Sequence, residues 1–67
     1  MQVADMKDLV HRAPFRPFAV RLSSGAEYQF LDRDDLGASK DGRMIFYFGE
    51  SQTVRIDTDS ITEVVEQ

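Results

Sequence analysis

The chain has 67 residues, no cysteine and one histidine, which excludes disulfide staples and thiolate zinc sites and leaves a histidine-built structural metal without ligands. Hydrophobic residues make up 42% and charged residues 30%, the balance of one globular domain and not of a disordered tail. Twelve acidic residues against eight basic ones give a formal charge of −4, the opposite of what a phosphate-binding surface normally carries.

A chain of this size buries only about 60% of the surface its unfolded form exposes. Small domains therefore usually add a crosslink, a metal or a partner subunit. With the first two gone, an efficient core or self-association remains, and composition leaves both open. The basic residues Lys7, Arg12, Arg16, Arg21, Arg33, Lys40, Arg43 and Arg55 are scattered, which argues against a nucleic-acid partner. There is no charged-then-apolar leader, and no apolar run approaches the ~20 residues that span a bilayer. The expectation is a cytoplasmic protein with no membrane partner, no cofactor and no small-molecule substrate.

In chain order, Val3, Met6, Val10 and Ala13 recur at three- and four-residue steps with Leu9 beside them, while Lys7, Asp8, His11 and Arg12 take the other side. That spacing predicts a helix over about 3–12, with Asp5 as N-cap and Asp8 favourably placed in the helix dipole. Pro14 stops it, because the residue before a proline is pushed out of helical geometry. Pro14-Phe15-Arg16-Pro17-Phe18 then favours an extended path of three residues per turn. Residues 14–18 thus form a stiff strap with Phe15 and Phe18 on one stripe and Arg16 alone on another.

Phe18, Val20 and Leu22 alternate with Ala19, Arg21 and Ser23, and Ala26, Tyr28 and Phe30 alternate with Glu27 and Gln29. This is strand periodicity. A two-residue turn would set Leu22 against Glu27. A three-residue loop, Ser23-Ser24-Gly25, instead pairs Leu22 with Ala26, Val20 with Tyr28 and Phe18 with Phe30, and puts Gly25 where a left-handed residue is required.

A polar stretch over 32–43 holds one short candidate strand over about 36–39 and a turn at Asp41-Gly42. Met44-Ile45-Phe46-Tyr47-Phe48 follows without a polar break, so the spacing predicts a strand covered on both faces. One face belongs to the core. The other is covered either by the N-terminal helix or by another molecule, and in the second case Ile45 and Tyr47 face a second copy. After a turn over 49–52, Thr53-Val54-Arg55-Ile56 alternates, 57–60 makes a polar corner, and 61–65 closes as a last strand.

Candidate chemistry is sparse. Asp32, Asp34 and Gly37 match three positions of a calcium loop, but Leu36 and Arg43 occupy positions that need oxygen donors. A solvated acidic turn is the reading. His11 falls on the polar helix face with no partner pattern for nucleophilic catalysis. Asp57 and Asp59 suit turn capping better than acid–base work. The spacing of Pro14 and Pro17 matches a proline-rich ligand, but the flanking phenylalanines call for burial. No catalytic residue and no metal ligand is assigned.

Two resemblances follow from these segments. Val20-Arg21-Leu22-Ser23-Ser24-Gly25 and Ser60-Ile61-Thr62-Glu63-Val64-Val65 resemble the first strand, glycine turn and closing strand of the Sm-like (Hfq-type) barrel, over about 17–65. That resemblance implies a small five-stranded SH3-like barrel and nucleic-acid binding. Asp57-Thr58-Asp59 stands where the family is basic, so none of its RNA-contacting residues carries over. Pro14-Phe15-Arg16-Pro17-Phe18 with the preceding helix and the Gly25 turn also resembles short bacterial, planctomycete-type proteins, a likeness that implies no activity.

The expectation is a single domain over 1–67, mainly β with one N-terminal α-helix (3–12), a strap (14–18) and a small five-stranded antiparallel SH3-like/Sm-like barrel (18–65). Its expected role is a non-enzymatic protein–protein interaction module that binds an unknown protein or itself through Ile45, Tyr47 and Arg16. Sm-like RNA binding is the alternative.

Overall fold

The computed structural model describes residues 3–66. Helix α1 (Val3–His11) precedes β1 (Phe18–Leu22) and β2 (Glu27–Phe30). A 3-10 turn (Arg33–Asp35) leads to β3 (Leu36–Ala38), β4 (Met44–Phe48) and β5 (Thr53–Asp57), and a second (Thr58–Ser60) leads to β6 (Ile61–Glu66). The strands form two three-stranded antiparallel sheets, ordered β2-β1-β6 and β3-β4-β5. The domain is thus mainly β with one helix, as expected, but the five-stranded barrel is replaced by six strands in two sheets that do not close.

The reason lies in two corners. Asp32 Oδ1 accepts a hydrogen bond from the Asp34 backbone N–H at 3.4 Å, and Asp57 Oδ1 accepts one from Asp59 at 3.0 Å. Aspartate favours such turns because its short carboxylate satisfies the backbone two residues on. Each corner lifts the chain out of one sheet and delivers it to the other. The break at 33–35 makes the short 36–38 segment a strand of the second sheet, paired with β4. Asp32 is thereby a turn cap, and no cluster of three metal-ligating side chains occurs among the described residues.

The β1–β2 hairpin has the expected register, Phe18 opposite Phe30 and Val20 opposite Tyr28. Leu22 N–H donates to Ala26 O at 2.8 Å across the three-residue loop, and Gly25 holds φ at +94°, a region costly for any residue with a Cβ. β6 flanks β1 on its other side, with a register shift between Arg21 and Leu22.

Helix α1 already includes Val3, so Asp5 lies in its first turn and is not the cap, where its charge still suits the positive end of the dipole. Met6, Leu9 and Val10 are buried, whereas Ala13 lies beyond the helix end and is exposed; the Val3 side chain is outside the described portion. The helix bridges from β6, through Arg12 to Glu66 at 2.6 Å, to the first corner, where the Arg33 guanidinium donates to Val10 O at 2.6 Å. It plugs the space between the sheets. Its side chains join Phe18, Val20, Phe30, Ile45, Ile56 and Ile61 in one core, with the Phe18 and Phe30 rings stacked at 5.0 Å. The strap adds Phe15, whose ring lies 6.1 Å from that of Phe18, so both aromatics do turn the same way.

Thr58 is the buried polar side chain of the core, and its Oγ1–H and N–H both donate to Arg43 O, at 3.0 and 2.9 Å. The β3–β4 turn is organised by Asp41, whose carboxylate accepts from the Arg43 N–H at 3.0 Å and the Ser39 hydroxyl at 2.7 Å. These bonds, the Arg43 amide foremost, hold the Asp41 carboxyl below its ordinary value. A depressed folded-state value means stability that is present above the unfolded value and lost as pH falls through the folded one. Asp41→Asn is therefore expected to lower stability slightly at neutral pH and to flatten the acid limb of the stability–pH curve below about pH 4, as read by urea unfolding at stepped pH.

Candidate interaction face

The turn over 49–52 is closed by a hydrogen bond from Gly49 N–H to Gln52 O at 2.8 Å. It sets Phe48 opposite Thr53, Phe46 opposite Arg55 and Met44 opposite Asp57, and on the other face Tyr47 opposite Val54 and Ile45 opposite Ile56. Residues directly opposite in an antiparallel pair share a face. Val54 and Ile56 point to the core, so Ile45 and Tyr47 must as well.

Ile45 is 0% exposed, enclosed by this chain alone. Tyr47 is half-buried, its ring 5.4 Å from Tyr28 and edge-on to Phe30 at 5.7 Å. Two of the three residues expected at an interface therefore line the core side of β4. Arg16 is exposed on the strap beside Phe15, which packs on Phe18 of the other sheet, so it does not join them. Nor does the helix cover the far side of β4, because its buried side chains enter the core between the sheets.

What lies outward is a row of apolar side chains. Met44 and Phe46 are half-buried, like Tyr47, and Phe48 is 43% exposed. The rings of Phe46 and Phe48 are 6.4 Å apart and within 11° of parallel. Gly37, opposite Phe46 on β3, makes room for this arrangement: a Cβ there would stand 2.9 Å from the Phe48 ring. On β5 the row is flanked by Thr53, Arg55 and Asp57, all exposed. Arg55 makes no ion pair with any described residue, while one Asp57 oxygen caps the second corner.

The outer face of the other sheet is mixed: Val65, opposite Ala19, is 47% exposed there, and the rest of the face is polar or charged. Arg21, on the central strand β1, donates to Glu27 on β2 at 3.1 Å and to Glu63 on β6 at 2.5 Å, and these contacts, the Glu27 bond foremost, raise the already high pKa of its guanidinium. Exposed pairs of this kind contribute little to stability, but they keep that face wet and charged.

Comparison with models of protein families, with curated proteins and with solved structures found no match. Function has to be read from the surface itself. His11 is exposed at the end of α1, on the rim of a hollow of about 440 Å³ shared with Arg33 and Asp34. Among the described residues no helix is long and apolar enough to cross a membrane. The outward row of β4 was missed in the sequence because its residues sit inside an unbroken apolar run. The four-residue turn before the alternating Thr53-Val54-Arg55-Ile56 was the signal that would have found it.

Proposed function

We propose that this domain is a protein–protein interaction module without chemistry of its own, docking through the outer face of β3-β4-β5. The observation that carries the reading is the outward apolar row Met44, Phe46 and Phe48 on the central strand of a sheet, partly open to water and most open at Phe48. Aromatic side chains and methionine are enriched where proteins meet, and a contiguous apolar patch with a polar border marks such sites.

A second reading, nucleic-acid binding of the kind the Sm-like resemblance implies, draws support from the nearly parallel Phe46 and Phe48 rings, since exposed aromatics stack successive bases. The net charge of −4 and the single cation on that face, Arg55, favour a protein partner. A photoreactive phenylalanine analogue placed at Phe48 in living cells separates the two. Protein adducts at this position, well above those from a control at Glu63, are the expected result. Nuclease-sensitive adducts would favour the second reading, and adducts no more abundant than at Glu63 would end both.

A further inference from the structure

The geometry points to a second copy of this chain as the occupant of the face, in a two-fold pair held in register by Arg55 and Asp57. The inference rests on the interaction reading above and names its partner. Along the outward row of β5, Arg55 and Asp57 sit two residues apart, opposite Phe46 and Met44 of β4. When two identical sheet faces meet about an axis across the strands, each β5 lies over the other, running the opposite way. Three placements of that axis bring apolar on apolar. Centred between Phe46 and Phe48, the rings meet, but each Arg55 meets only the other copy's neutral Thr53. Centred on Phe46, the pair stacks ring on ring but sets Arg55 against Arg55, two like charges. Centred between Met44 and Phe46, each Phe46 meets the other copy's Met44, a favourable sulfur–aromatic contact. Each Arg55 then meets the other copy's Asp57, twice by symmetry, through the Asp57 oxygen that does not cap the corner. Of the three, only this placement pairs opposite charges, and charge complementarity selects it.

The size of the face sets the strength. Three strands roughly 4.8 Å apart and five residues of ~3.3 Å each make a plate of about 250 Å². A stable interface uses about 800 Å² per partner, nearly a fifth of this molecule's 4514 Å² surface. The plate is the centre of a weak pair, with micromolar or looser dissociation.

Sedimentation equilibrium of the full chain from ten micromolar to one millimolar tests the proposal, with circular dichroism to confirm folding. The wild type should show a monomer–dimer equilibrium that Phe46→Ser abolishes. Arg55→Glu and Asp57→Lys, each alone, should weaken it about tenfold, because two favourable contacts become repulsive. An equimolar mixture of the two variants should recover dimers, since each mixed pair restores both contacts. Should Asp57→Lys lose its corner and unfold, Asp57→Asn keeps the capping oxygen and should still weaken association. A strict monomer at one millimolar, no recovery on mixing, or wild-type association by Arg55→Glu or Asp57→Asn would overturn the pair. Adducts to other proteins at Phe48 from a strictly monomeric chain would remove this proposal and leave the interaction reading standing.

Discussion

Ile45→Ala is expected to cost about 2–5 kcal/mol, whereas Phe46→Ala, one residue along the same strand, costs under about 1 kcal/mol. Ile45 is enclosed on all sides by Met6, Phe18, Phe30, Ile56 and the rest of the core, so truncating it leaves a cavity that close packing cannot refill. Phe46 faces the other way, and shortening it removes surface that was already partly wet and leaves no enclosed cavity. At 0.05–0.15 kcal/mol per residue the whole domain holds only about 3–10 kcal/mol. Ile45→Ala therefore populates the unfolded state visibly, while Phe46→Ala does not. Urea unfolding followed by circular dichroism decides it, and equal losses at the two positions would contradict the assignment of faces.

Removing residues 1–12 is expected to abolish cooperative folding. The helix contributes Met6, Leu9 and Val10 to the core, and burying a side chain of this size is worth about 1.5–3 kcal/mol. Three of them together match the total stability of a domain this small. The loss also uncovers Phe18 and Phe30, which lie 1% and 0% exposed, and breaks the Arg33 bond to Val10 O that fastens the first corner. The truncated chain should show no sigmoidal melt and should bind hydrophobic dyes. A cooperative transition close to that of the full chain would show that the two sheets close on their own.

Much of this fold was legible because its strands alternate. Phe18, Val20 and Leu22 against Ala26, Tyr28 and Phe30 admit one hairpin register that keeps apolar with apolar, and the structure has it. The corner at 57–60 was readable from aspartate chemistry, and Asp57 does cap it. Strand number failed where local and non-local forces compete. Nothing local in Leu36-Gly37-Ala38 requires a strand; pairing with Tyr47, Phe46 and Ile45 of β4 makes it one. The site failed for a different reason. Alternation tells inside from outside only when the two sets differ in polarity, and in Met44-Ile45-Phe46-Tyr47-Phe48 they do not. The direction is imposed by the neighbouring strand, where Val54 and Ile56 can be buried and Arg55 cannot.

The ion triad around Arg21 limits how far any assembly can grow. A molecule adhesive on both broad sides would stack without end, the route by which sheet proteins become fibres. Here one broad side carries Glu27, Arg21 and Glu63, two carboxylates around one guanidinium, so two such sides repel each other. In the pair proposed above, this row stays in water, and its excess of carboxylates opposes any further copy that would stack on it.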